Sequence, residues 1–171
     1  DHSQYGTELS PSAGAAYAIT PALKLTASVN RAFRAPSFTE LYYVDPANIG
    51  NSRLRAETAW AYEVGVSYAP FDNLAMDAAL FRRDAEDLID WVREGPTEPW
   101  RAINIGEVRT EGLELRIAAS PHPVTSLSLD YAFLDSDHES LPLLSKYVHR
   151  HPVHDVAVRI RSPLPGGVRQ Q

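Results

Sequence analysis

Ionisable side chains gather in two places along this chain. His149, His151 and His154 lie close together, and imidazoles at such short spacing are what a zinc ion takes as ligands. An extended backbone sends successive side chains to opposite faces, so His149 and His151 fall on one side and His154 on the other. Three ligands would converge only across a sharp bend, and Pro152 instead fits the start of a strand. Asp84, Glu86, Asp87 and Asp90 offer the hard oxygens that calcium prefers. Alternation sets Asp87 against the other three, and no glycine-punctuated calcium loop is present. A solvated, charged hairpin is expected there, with Arg82, Arg83, Arg109 and Arg116 offsetting the acids across strands. No metal and no cofactor is expected, and catalysis finds no support. The chain has neither a Gly-x-Ser-x-Gly elbow nor a His-Glu-x-x-His pair, so no catalytic residue is assigned.

Recognition of a bulky ligand is the chemistry that the remaining residues suit. Tyr42, Tyr43, Asp45 and Asn48 sit in one polar connection, and Trp91 and Trp100 flank another. Tyrosine and tryptophan present broad amphipathic surface, and binding residues concentrate on loops held by a rigid scaffold. The plainer alternative is that Tyr42 and Tyr43 pack their loop against that scaffold.

The scaffold is legible in the alternation of side chains. From Thr58 to Ala69, residues Trp60, Tyr62, Val64, Val66 and Tyr68 share one face, while Ala59, Ala61, Glu63, Gly65 and Ser67 share the other. At about 3.3 Å per residue, Trp60 and Tyr68 stand roughly 26 Å apart along a strand, or near 20 Å in height if it tilts as membrane barrel strands do. That approaches the height of an outer-membrane apolar band edged by aromatic girdles. The pattern recurs. Leu25, Ala27, Val29 and Phe33 oppose Lys24, Thr26, Ser28 and Asn30; Leu127, Leu129, Tyr131 and Phe133 oppose Ser128, Asp130 and Ala132; Val156, Val158 and Ile160 oppose Asp155, Ala157, Arg159 and Arg161. Arg31 shares the apolar parity, and since an arginine facing lipid is tolerated near the interface but not at the midplane, this strand should end just above Arg31. Phe81 is the other exception, an aromatic on the polar parity.

Connections alternate in length. Short turns are expected at Thr20-Pro21-Ala22, Pro70 to Asn73, Ser120 to Pro123 and Pro163 to Gly167, where proline and glycine preset the backbone. Long polar stretches run from Arg34 to Glu57, Arg93 to Arg101 and Asp135 to His151. Short turns on one side and long loops on the other is how transmembrane barrels are strung. The pair Leu74–Trp91 and Glu107–Ile117 is apolar in its lower half and charged in its upper half, as a hairpin projecting beyond the outer leaflet would be.

Composition excludes several classes. No run approaches the roughly 18 apolar residues of a membrane helix. A net charge of -6 without a basic stripe argues against nucleic acid. No cysteine is present, which removes disulfide frameworks and thiolate metal sites. The reading is all-β: about seven antiparallel strands forming an incomplete, open, curved sheet. Since single-chain bacterial barrels use even strand numbers from about 8 upward, the chain is expected to be an excerpt without its targeting segment.

The residues also resemble a known family. Asn30-Arg31-Ala32-Phe33-Arg34-Ala35-Pro36-Ser37-Phe38-Thr39-Glu40-Leu41-Tyr42 is similar to the FRAPSF-x-ELY block of TonB-dependent outer-membrane receptors. Gly50-Asn51, Leu54, Glu57 and Tyr62-Glu63-Val64-Gly65 follow in the family's order. Asp87-Leu88-Ile89 and Asn104-Ile105-Gly106-Glu107 with Gly112-Leu113-Glu114 resemble two further blocks. The compact first loop, Asp87-Leu88-Ile89-Asp90, and Leu141-Pro142-Leu143-Leu144 before His151-Pro152-Val153-His154 look most similar to cobalamin receptors.

The resemblance implies that residues 1–171 are one part of a barrel of about 22 strands, with the plug domain and closing strands lying outside it. It implies residence in the bacterial outer membrane, with lipid against Trp60, Tyr62, Val64, Val66, Tyr68, Leu127, Leu129, Tyr131, Val156, Val158 and Ile160. It further implies uptake of a scarce bulky nutrient, cobalamin or a related corrinoid first, a ferric siderophore or haem next, and energy from the TonB complex through the plug. A soluble β-sandwich binding module is the rival from another class; it requires the apolar face to become a shared core.

Overall fold

The computed structural model describes residues 8–138, 143–147 and 153–163. Alternating residues form a meander of seven strands: β1 (Ser12–Thr20), β2 (Leu23–Arg34), β4 (Glu57–Phe71), β5 (Leu74–Glu86), β8 (Val108–His122), β9 (Thr125–His138) and β11 (His154–Arg161), paired in that order and all antiparallel. The sheet does not close on itself. Two-residue turns join strands along one edge: Pro21-Ala22, Asp72-Asn73 and Pro123-Val124. The long connections all leave from the opposite edge, as the sequence predicts.

Register carries the face assignments across the sheet. One face carries the row Leu25, Val66, Ala78, Leu115, Tyr131 and Val156, and below it Leu23, Tyr68, Met76, Ile117, Leu129 and Val158. Trp60, Tyr62, Val64, Tyr68, Leu127, Leu129, Val156, Val158 and Ile160 are exposed there; Val66 and Tyr131 are half-buried among their neighbours. Trp60 and Tyr62 stack with ring centroids 6.4 Å apart. Among the described residues no apolar layer covers this face, whereas a sandwich would have packed it against a second sheet. The opposite face is built of rows such as Thr26, Gly65, Ala79, Glu114, Ala132 and Asp155, and Lys24, Ser67, Asp77, Arg116 and Asp130. It is concave: one hollow is lined from six strands, by Thr26, Glu63, Asp77, Glu114, Asp130 and Asp155 among others. Asp130 gathers Arg116 at 3.6 Å and Arg159 on this wall.

Above the apolar rows the outward residues turn charged. Arg82 reaches Asp84 at 2.9 Å and Glu111 at 3.6 Å, and Arg109 reaches Asp84 at 3.1 Å. Arg31 belongs to this upper level: it pairs with Trp60 and donates to Glu8 at 3.0 Å and to the Leu9 carbonyl at 2.7 Å. Phe81, the parity exception, lies across Gly112 of the neighbouring strand. An added Cβ at that glycine would come within 2.3 Å of the ring. The ring fills space that a glycine leaves open, which is how aromatics rescue glycines in sheets.

A second sheet, which the alternation pattern does not announce, lies at the long-loop edge. Four short strands in the order β10 (Leu144–Ser145), β6 (Ile89–Arg93), β7 (Trp100–Asn104) and β3 (Asn48–Ile49) form a small cap with helix α1 (Phe38–Tyr42) at the long-loop edge. Two apolar clusters hold it. One comprises Leu41, Leu54, Ile89, Trp91 and Ala102, with Trp100 packed against it; the other comprises Ala59, Ala85, Val92, Ile105 and Val108. This corrects the expectation of a solvated hairpin: Asp90 is 0% exposed and Trp91 7%. Alternation fails there because Asp87 adopts a positive φ of 55°, which ends β5 and resets which residues face inward. Among the described residues no helix is long and apolar enough to cross a membrane, a statement that leaves crossing by strands open.

Candidate functional site: a locked rim above the sheet

The rim starts where β2 ends. Pro36 biases its predecessor to extended backbone, and Ser37 then caps α1. The Ser37 Oγ accepts from the Glu40 amide at 3.3 Å while the Glu40 carboxylate accepts from the Ser37 amide at 2.6 Å, a reciprocal capping box. Arg34 then joins three elements. Its guanidinium donates to both Glu40 oxygens at 3.0–3.1 Å and its Nε to Glu57 at the start of β4. The second Glu57 oxygen accepts from the Ile89 amide at 3.0 Å, carrying the lock into β6.

Gly50 and Asn51 close the same loop from the other side. The Gly50 amide donates to the Tyr43 carbonyl at 2.7 Å and the Asn51 amide to the Glu40 carbonyl at 2.8 Å. A Cβ on Gly50 would sit 2.9–3.0 Å from three backbone atoms, so this close approach requires glycine. Across the rim, Asn104 Nδ2 donates to the carbonyls of Asp87 at 2.7 Å and Arg55 at 3.0 Å, while its Oδ1 accepts from the Arg55 amide at 2.9 Å. Gly106 supplies the φ of +81° needed to bring the chain back.

Electrostatics make the Glu40 contact sensitive to acid. Partial burial works to raise its carboxyl, but the hydrogen bonds from Arg34 and Ser37 outweigh it and hold the group below its ordinary value. Arg34 is held above its ordinary value, chiefly by Glu57. A carboxyl with a depressed folded value stabilises the fold above its unfolded value and loses that contribution as pH falls through the folded one. Amide protection around Leu41 and Tyr43 should therefore be flat near neutrality and decline below about pH 4. Glu40→Gln should flatten that decline, read by NMR or hydrogen exchange on the full-length receptor.

The structure places the predicted ligand residues differently from one another. Tyr42 is exposed, with its ring 5.1 Å from that of Phe38. Tyr43 is also exposed and donates its hydroxyl to Asp45 at 2.9 Å. Asp45 accepts in addition from the Ala47 amide at 2.7 Å and from Asn48 Nδ2 at 3.1–3.2 Å, and these bonds hold its carboxyl below its ordinary value, the Tyr43 hydroxyl foremost. Asp45 and Asn48 thus shape the loop. Trp91 sits in the cap interior, whereas Trp100 lies at its margin beneath Arg93, 4.3 Å from the guanidinium carbon. Lys146 Nζ lies 5.9 Å from both tryptophan rings, and its amide donates to the Trp91 carbonyl at 2.9 Å. The buried Asp90 accepts from the Trp91 amide at 2.6 Å and from the Ser145 hydroxyl, tying β10 to the cap.

Arg34, Glu57, Asn104, Asp90 and Ser145 are rim residues that the alternation pattern does not reveal. The first four lie in the family blocks, where their order was visible and their partners were not; Ser145 carries no pattern. Of the histidines, His149 and His151 lie outside the described residues, and His154 shares a 2.9 Å hydrogen bond with the Tyr131 hydroxyl. No metal-holding group of three or more occurs among the described residues.

An open meander with one uncovered apolar face, one concave polar face, short turns below and a folded rim above is a piece of a large outer-membrane β-barrel. A family model described as TonB dependent receptor-like, beta-barrel matches residues 1–151. The chain belongs to that family, whose members are transporters of the bacterial outer membrane rather than enzymes. It is 35% identical over 116 residues to a vitamin B12 transporter BtuB of Vibrio vulnificus (strain YJ016), covering 67% of this chain and 18% of that protein. It is 26% identical over 172 residues to an iron-regulated outer membrane virulence protein of Vibrio cholerae serotype O1, covering 90% of this chain and 26% of that one. The siderophore receptor PirA of Pseudomonas aeruginosa superposes with a TM-score of 0.66 at 25% identity, over 80% of this chain and 26% of the other. The ferric enterobactin receptor PfeA of the same organism gives a TM-score of 0.66 at 21% identity over 90% of this chain and 25% of the other, a likeness of fold. The chain spans about a fifth to a quarter of these relatives' lengths.

Proposed function

We propose that this chain is part of the barrel of a TonB-dependent outer-membrane transporter that takes up a scarce bulky nutrient, a corrinoid such as cobalamin in the first instance. The observation that carries the reading is the rim. The blocks resembling the family, scattered from Arg34 to Gly106, converge on one lock that holds an exposed tyrosine loop. The corrinoid is supported by the 35% identity to a protein named as a vitamin B12 transporter. A ferric siderophore is the second reading, favoured by the likeness to the siderophore receptor PirA. In the whole protein, residues 1–171 would form part of one barrel domain, with a plug and further strands supplied from elsewhere and the TonB complex engaged through that plug. Among the rim residues, Tyr42, Tyr43 and Trp100 are the proposed ligand contacts; Asp45, Asn48 and Trp91 support them from behind.

Competition between labelled cyanocobalamin and ferric siderophores on cells expressing the full-length receptor tests this. Saturable cyanocobalamin binding that siderophores do not displace is the expected outcome, and the reverse would replace the ligand.

The exposed apolar face is proposed to meet lipid through Trp60, Tyr62, Val64, Val66, Tyr68, Leu127, Leu129, Tyr131, Val156, Val158 and Ile160. Leu129→Arg should then cost the barrel about 2–4 kcal/mol, as a cation at the bilayer midplane does. Val124→Arg, in the turn between β8 and β9, should cost almost nothing. Refolding titrations of the full-length receptor into lipid vesicles would show the difference.

A further inference from the structure

β10 is attached to the cap differently from the other cap strands. It comes from the connection between β9 and β11 and lies at the edge of the small sheet, paired with β6 through Leu144 opposite Arg93 and Ser145 opposite Val92. Alternation sorts its contacts onto two faces. On one, the Ser145 hydroxyl donates to Asp90, and Leu143 packs against the cluster that contains Val92, Ile105 and Val108. On the other, the Lys146 ammonium lies 5.9 Å from the rings of Trp91 and Trp100 and 5.7 Å from that of Tyr147. The Lys146 amide adds a bond of 2.9 Å to the Trp91 carbonyl.

These contacts are largely polar and come from one side. β6 is wedged between two apolar clusters, whereas Leu144 is 45% exposed and Tyr147 61%, so the outer side of the β10 segment is open. Segments with few buried apolar contacts open at the lowest free energies in a fold. Asp90 accounts for the docking. It is 0% exposed, and a buried carboxylate has to be met by donors. Ser145 brings one such donor from a strand that can leave. Water can stand in for a hydroxyl at a carboxylate, as it cannot for a side chain packed in an apolar cluster, so parting β10 from β6 costs far less than parting β6 from the cap.

We propose that β10 is a releasable latch on the rim: it docks and undocks on β6 while β6, β7 and the seven-stranded sheet stay folded, with the Ser145 hydroxyl on Asp90 as its catch. Undocking frees the β6 backbone edge at Val92 and Arg93 and withdraws Lys146 from the two indoles, which gives the cap a closed and an open form. The latch does not depend on which nutrient the receptor carries.

The test uses single cysteines in the full-length receptor in detergent. This chain has no cysteine of its own, and any lying elsewhere in the receptor is replaced by serine. Val92→Cys lies under the latch, and Ile105→Cys lies in the same apolar cluster away from it. Ser145→Ala should speed maleimide labelling of Val92→Cys by about 10–100-fold, the scale of a hydrogen bond to a charged group, and leave Ile105→Cys at its parent rate. Ser145→Thr keeps a hydroxyl and should stay within about threefold of the parent, which separates a lost catch from a disturbed fold. Arg93→Cys with Leu144→Cys, opposed across the ladder within reach of a disulfide, should slow hydrogen exchange at the Lys146 amide when oxidised and restore it on reduction. Equal acceleration at both cysteines in Ser145→Ala would show the cap opening as one body and would overturn the latch. An unchanged rate at Val92→Cys, or exchange at Lys146 that the disulfide does not slow, would overturn it as well.

Discussion

Gly112→Val should prevent most of the receptor from reaching its folded, heat-modifiable form on a gel. A Cβ at this position would lie 2.3 Å from Phe81 Cζ and 2.5 Å from the Phe133 carbonyl oxygen. The ring can swing aside, but the carbonyl belongs to β9 and is fixed by strand pairing. Overpacking of a well-filled site costs about 1–3 kcal/mol, and a clash with backbone places this substitution at the upper end. The two contacts can be told apart. Phe81→Ala alone removes the covering ring and should cost about 1 kcal/mol or less, as a lost cross-strand pair does. Adding it to Gly112→Ala should recover only part of the loss, because the Phe133 carbonyl stays in place. Full recovery in that double variant would show that the ring alone excluded a side chain.

Arg34→Ala should release the rim while leaving the strands below intact. The Glu57 side chain is 10% exposed and would keep the Ile89 amide but lose its cation. Removing one partner of a buried pair costs about 3–5 kcal/mol. The Arg34 side chain is 45% exposed, so water would compensate in part and about 2–3 kcal/mol is expected. Local opening at that scale raises hydrogen exchange roughly 30–150-fold over residues 37–54 and 88–92. Glu57→Gln should cost less, since its amide oxygen can still accept from Ile89. Exchange that rises equally in β4 and β5 would mean that Arg34 supports the whole sheet.

Strand faces were readable because a period of two maps directly onto the two sides of a sheet, and the turn residues Pro21, Asp72, Asn73 and Pro123 mark where one strand gives way to the next. Arg31 and the charged tops of β5 and β8 were readable as well, since charge marks where apolar contact ends. The cap was hidden for physical reasons. Asp87 looks like one more member of an acidic run, yet its left-handed backbone breaks the alternation on which Asp90 and Trp91 were assigned to solvent. Ile89, Asp90, Trp91 and Val92 are buried in succession because β6 is wedged between two apolar clusters, and no period describes a strand covered on both sides. The family blocks supplied Arg34, Gly50, Glu57 and Asn104 in order, but order along a chain does not say that a guanidinium from one block meets carboxylates from two others.

The parallel pairing of β3 with β7 joins Asn48 to Trp100 and Ile49 to Arg101, positions separated in the chain by β4, β5 and β6. Hairpins closed by two-residue turns form from neighbours in sequence, whereas this contact must wait until a long segment has already zipped. Biogenesis should therefore be ordered: walls first, crown last. Antibodies that recognise the crown would report completed assembly, and a stalled intermediate would carry the wall epitopes without them.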